Sequence, residues 1–170
     1  MKNCIVCYIN GSSLQGETYI KFIEYLLSES NAFTYTKLAT ENSIDEDDRE
    51  YAEKIRKFEA LVKPDFKRVF STCSYGISSG NEKQVYVSNL KSGALKSYIK
   101  NKKDITKWNY PECVEDIGFY KNGKYIFESC SHEEIYRFYT NNEHEIDFLI
   151  KNGITVTDKY NIPETDIPIL

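Results

Sequence analysis

Histidine is almost missing from this 170-residue chain: His132 and His144 are the only two. No H-E-x-x-H pair can therefore exist, and the commonest side chain for proton transfer and metal ligation is confined to one short stretch. No G-x-S-x-G nucleophile elbow occurs either. Nowhere does the chain run through the ~18 consecutive apolar residues that a membrane helix needs. Residues 1–10 lack the long apolar run and small-residue cleavage site of a secretory signal, which makes the cytoplasm the expected compartment. Cysteine is present in an odd number: Cys4, Cys7, Cys73, Cys113 and Cys130. With no export signal this is no disulfide framework, and the five read as reduced thiols, mostly in strand-like, buried runs.

What the chain does have is ample core material: 41% apolar residues, 14 tyrosines, nine phenylalanines and one tryptophan. That excludes intrinsic disorder and fibrous classes. Against 22 lysines and arginines stand 26 acids, for a net charge of −4. Without an internal repeat or a low-complexity linker, residues 1–170 read as a single globular domain.

Local patterns supply the elements. Residues 3–9, closed by Asn10 and Gly11, predict a strand buried on both faces. Tyr19, Ile20, Ile23, Leu26 and Leu27 recur at helical spacing to about Glu29, and Phe33 to Thr36 alternate as a strand. Tyr51, Ile55, Phe58 and Leu61 or Val62 form the stripe of a second helix, opened by Asp45, Glu46, Asp47 and Asp48 and followed by Pro64. Val69, Phe70 and Cys73, then Val85 to Val87, suggest a hairpin around an exposed Gly76–Asn81 loop. A third helix from about Ser92 turns Leu95, Tyr98 and Ile99 inward, and an ordered loop from Asp104 to Pro111 holds Trp108. Asn122-Gly123 between two alternating runs is a strong hairpin signal. Ser131 with Glu134 fits a capping box for a helix carrying Ile135, Phe138 and Tyr139, and Glu143 to Glu145 open another that stops at Gly153. The tail, with Pro163, Ile167, Pro168, Ile169 and Leu170, is a packed arm or disordered. The expected class is α+β (mixed α/β) in the order β-α-β-α-β-β-α-β-β-α-α, a central mixed sheet with a C-terminal β-hairpin followed by two helices.

Each chemical candidate has a plainer reading beside it. Gly11 to Thr18 spells G-x-x-x-x-G-E-T after a strand and before a helix, like a phosphate loop. The lysine position carries Glu17, however, and a carboxylate ~4 Å from a phosphate charge costs on the order of 4 kcal/mol at an effective dielectric near 20. Cys4 and Cys7 spell C-x-x-C, but residues three apart in a strand face opposite sides and cannot share a tetrahedral metal. His132 and His144 lie among Glu133, Glu134, Glu143, Glu145 and Asp147; they would make a metal site if the last two helices met, and otherwise these are capping residues. A thiol or carboxylate beside His132 would make a small hydrolase or transferase. Lys91, Lys96, Lys100, Lys102 and Lys103 with Tyr98, Trp108 and Tyr110 make a basic, aromatic patch of the kind that binds nucleic acid, opposed by the net negative charge. No cofactor, resident metal or catalytic residue is expected.

The run Trp108, Asn109, Tyr110, Pro111, Glu115, Asp116, Ile117, Phe119 to Gly123, then Ser131 to Glu134 and Gly153, resembles small bacterial cytosolic proteins, over about a third of the chain. In size, acidity and lack of catalytic motifs these are similar in type to toxin-immunity proteins. The resemblance implies a non-catalytic protein-binding module that neutralises a basic toxin domain by occlusion. The expected contact residues are Asp45, Glu46, Asp47 and Asp48, then Glu133, Glu143 and Glu145. The stock of tyrosines, a residue type favoured at interfaces, points the same way.

Overall fold

In the computed structural model residues 3–37, 45–62, 66–71 and 83–167 are described. Among these residues eight strands form one sheet in the order β3-β4-β2-β5-β6-β7-β1-β8. In chain order they are β1 (Asn3–Ile9), β2 (Ala32–Thr36), β3 (Phe66–Ser71), β4 (Lys83–Asn89), β5 (Glu115–Lys121), β6 (Lys124–Cys130), β7 (Ile135–Thr140) and β8 (Val156–Pro163). Among the described residues four helices accompany them: α1 (Gly16–Glu29), α2 (Glu46–Val62), α3 (Gly93–Asn101) and α4 (Glu143–Lys151). Every pairing is antiparallel, so the expected mixed sheet is corrected to an antiparallel one, within an α+β fold. Cys73, the Gly76–Asn81 loop, Pro64, Pro168, Ile169 and Leu170 lie outside the described residues.

The two faces of the sheet differ. On one, Cys7, Ile9, Phe33, Tyr35, Phe119, Phe127 and Phe138 join a cluster with the buried stripes of all four helices. Trp108 lies fully buried in this layer, donating from Nε1 to the Tyr19 hydroxyl at 3.0 Å, which donates in turn to the Ile99 carbonyl at 2.7 Å. One relay thus ties α1, α3 and the 105–107 turn. On the other face Cys4, Val6, Tyr139 and Ile167 form a smaller cluster with Tyr8, Tyr125 and Ile162. β1 accordingly sends alternate residues into two cores, which is why its sequence reads as nearly continuous apolar.

Helix termini follow local chemistry. The Ser92 hydroxyl accepts from Leu95 N–H at the start of α3, the Asn142 side chain from His144 N–H at the start of α4, and Asp45 Oδ1 from Asp47 N–H ahead of α2. Gly153, at φ 84°, gives α4 its left-handed stop.

The C-terminal third departs from expectation in two places. Residues 135–140 form β7 rather than a helix: Tyr136 and Phe138 face the helices while Arg137 and Tyr139 face away, a period of two in an aromatic, β-branched run. The Ser131 box yields only a 3₁₀ turn over Ser131–Glu133, ended by Glu134 at φ 54°. The hairpin is therefore followed by a strand, one helix and β8, which pairs with β1 along its length.

Candidate functional site

Strand ends and turns converge on one end of the sheet. β5 begins there with Glu115 and Asp116, β6 ends there with Cys130, and the 131–133 turn leads into β7. The Asp116 N–H donates to Ser131 Oγ at 3.0 Å, and Asp116 Oδ1 accepts from Ser131 N–H at 2.9 Å. The Tyr110 N–H donates to Glu115 Oε1 at 3.2 Å, while the Tyr110 hydroxyl reaches Asp48 Oδ1 on α2 at 3.0 Å. Lys54 bridges Glu50 at 3.0 Å and Glu112 at 3.6 Å. These links join the start of α2 through Tyr110 to the start of β5 and on to the 131–133 turn. Asp45, Glu46, Asp47, Asp48 and Glu133 thereby share an end with Glu112, Glu115, Asp116 and Glu134. Asp45 to Asp47, Glu112 and Glu134 are exposed, and Glu133 is half-buried.

Glu143 and Glu145 do not belong to this group. They follow the far end of β7, where Thr140 pairs with Ile5. Glu143 faces Lys159 at 3.6 Å, and Glu145 accepts from the Thr140 hydroxyl. His144, 92% exposed, stands at that same far end, so no joint His132–His144 site forms.

At the acidic end His132 does meet a thiol. Cys130 Sγ lies 3.7 Å from Nδ1 and 3.9 Å from Nε2 of His132, with Glu133 Oε1 at 3.8 Å from Nε2. Nearly equal distances place the sulfur off the lone-pair direction of either nitrogen, a poor alignment for taking the thiol proton. Cys130 is half-buried, unlike the core cysteines Cys4, Cys7 and Cys113. A cavity of about 390 Å³ opens at this end between Tyr8, Asn10, Ser12, Gln15, Glu134 and Tyr136; Cys130 and His132 are not in its wall. The Cys130 thiol therefore does not face this cavity.

The face away from the helices carries a buried polar group absent from the expectations. Glu128 accepts from the Tyr139 hydroxyl and from Arg137 Nη1 at 3.3 Å, and the Arg137 guanidinium lies 5.0 Å from the Tyr8 ring centroid. Burial pushes the Glu128 carboxyl up to about 7, although the Tyr139 hydrogen bond pulls it down. Tyr139 is itself driven well above the tyrosine range, by burial and by Glu128. An alternating strand sequence would have put Glu128 toward water; only strand pairing brings Arg137 and Tyr139 to it.

The remaining sequence candidates have structural roles. Gly11–Ser13 is a 3₁₀ turn capped by Asn10, and the Gly16 N–H donates to the Lys103 carbonyl at 2.7 Å. Ser13 Oγ is held between Asn10 O and Thr155 N–H, so the P-loop-like segment, expected to be an ordinary strand-to-helix connection, has its polar groups committed within the protein. Cys4 and Cys7 face opposite sides of the sheet. In the lysine-rich helix Lys100 pairs with Glu24 at 2.6 Å, Lys102 lies over the Tyr98 and Trp108 rings, and Trp108 is inaccessible to a base. The tyrosines mostly build core; among the described residues Tyr160, 56% exposed, is the most open, with Tyr8, Tyr25, Tyr98, Tyr110 and Tyr125 half-buried. No helix among the described residues is long and apolar enough to cross a membrane. No known protein family matches the chain, and no curated protein or solved structure matches it significantly.

Proposed function

We propose that the protein is a non-catalytic binding module that occludes a basic protein partner, acting in the manner of an immunity protein on a toxin domain in the cytoplasm. The observation that carries this reading is the convergence of Asp45 to Asp48, Glu112 and Glu133 on one end of the sheet from three distant parts of the chain. Separate acidic runs at helix starts are accounted for by capping and the helix dipole. Acids brought together from α2, the 112–116 segment and the 131–133 turn gain nothing from one another, since like charges repel. Lys54 offsets part of that repulsion at Glu50 and Glu112; a cationic partner offsets more, and the field of such a face accelerates encounter. Glu143 and Glu145 lie outside the surface proposed.

The test is retention of a partner from extracts of the source organism on immobilised protein. Wild type is compared with the combined variant Asp45→Asn, Glu46→Gln, Asp47→Asn, Asp48→Asn, and with Glu143→Gln, Glu145→Gln. The reading expects a basic protein, released by salt, that is lost from the fourfold variant and kept by the twofold one. Equal retention by all three, or an acidic partner indifferent to salt, contradicts it.

A further inference from the structure

We propose that Asp116, Cys130 and His132 form a three-ligand site for a zinc-class divalent cation, with a fourth position open to solvent. This stands independently of the partner-binding reading. A carboxylate oxygen, a thiol sulfur and an imidazole nitrogen from these residues lie within 4.8 Å of one another. Zinc takes sulfur at about 2.3 Å and nitrogen at about 2.0–2.1 Å, so a tetrahedral angle between them sets the two ligand atoms about 3.6 Å apart. The Cys130 Sγ to His132 Nδ1 separation is 3.7 Å. With Nε2 only 3.9 Å from the same sulfur, the ring stands beside the thiol with neither lone pair aimed at a shared ion, so the half-exposed His132 ring turns about its side-chain torsions to ligate one.

The support around the ligands is equally specific. Extending the β5–β6 register, in which Gly118 pairs with Glu128, two residues further sets Asp116 opposite Cys130. Both carboxylate oxygens of Asp116 are oriented, Oδ1 by the Ser131 N–H at 2.9 Å and Oδ2 by the Thr36 hydroxyl at 3.2 Å. Such outer hydrogen bonds fix ligand orientation. Asp116 holds a left-handed backbone, φ 47°, as does Glu134 at φ 54° just beyond the ligands. A non-glycine residue in that region is strained, and the reciprocal Asp116–Ser131 bonds hold it there. Thiolate and carboxylate together carry two negative charges, which neutralise a dication without a further acid. One soft and two harder donors suit zinc or cobalt better than magnesium or calcium. With three protein ligands the fourth position belongs to water or to a small anionic ligand, the pattern of open rather than structural zinc sites.

Untagged, reduced, metal-stripped full-length protein titrated with Co²⁺ tests this directly. The expected result is saturation at one equivalent, with a near-ultraviolet thiolate-to-cobalt band and intense visible bands of four-coordination, all removed by one equivalent of Zn²⁺. Cys130→Ser abolishes the near-ultraviolet band. His132→Ala, which alters a half-exposed side chain and leaves the far-ultraviolet circular dichroism unchanged, weakens binding at least tenfold. A wild type with no charge-transfer band overturns the proposal, as does a band that survives Cys130→Ser or an affinity untouched by His132→Ala.

Discussion

Trp108 and Tyr19 illustrate how single side chains hold distant segments of this protein together. In Tyr19→Phe the indole N–H of Trp108 stays buried and loses its acceptor, at a cost of about 1–3 kcal/mol. The expected result is a lower urea midpoint at unchanged slope, followed by the fluorescence of the only tryptophan. Glu128 supplies a pH dependence. Its carboxyl keeps a proton up to about 7 in the folded protein but only to its ordinary 4.5 in the unfolded chain, so folding takes up a proton between those values. The stability it contributes is full below that lower value and is lost as pH rises through about 7, by on the order of 3 kcal/mol at most; Arg137, 3.3 Å away, favours the charged form and works against that loss. Glu128→Gln is therefore expected to gain stability relative to wild type between about pH 5 and about pH 8 in parallel urea titrations; a constant difference would refute this. Neither residue was legible in advance. A tryptophan in a loop and a glutamate in an alternating strand take their meaning from partners supplied by other elements.

Elements were legible where the signal was local. The stripe of α2, the Ser92 cap, the Asn122-Gly123 hairpin and the Gly153 stop all lie in a few consecutive residues, and each stands where the pattern put it. β7 was not, because Ser131 and Glu134 imitate a capping box while the following run satisfies a strand's alternation equally well, and the neighbouring strands β6 and β1 decide the contest. Two substitutions probe this level. Ser92→Ala removes the α3 cap and should cost about 1 kcal/mol. Gly118→Ala places a methyl against the Tyr125 ring and Thr34 Oγ1 on the face away from the helices, with an expected loss of about 1–3 kcal/mol. Thermal unfolding reads both, and a Gly118→Ala protein as stable as wild type would mean that this face is looser than the structure describes.

For the molecule as a whole, the run of local patterns was enough to indicate an α+β class, but not the order of the sheet. β1 pairs with β7 and β8, so its partners come from the opposite end of the chain and leave no trace in local spacing. The same non-locality governs the candidate surface. The acids of α2 and of the 131–134 turn are separate in sequence from those of α4, yet sequence alone could not say that β7 carries the last group to the far end. The acidic end is proposed to be the face that meets a cationic partner. Hydrogen exchange of the protein alone and with the captured partner tests it most directly. Slowed exchange over 45–50, 112–116 and 131–134, with α4 and β8 unchanged, is the expected result; protection confined to β8 or to the helical face, or none, would refute it.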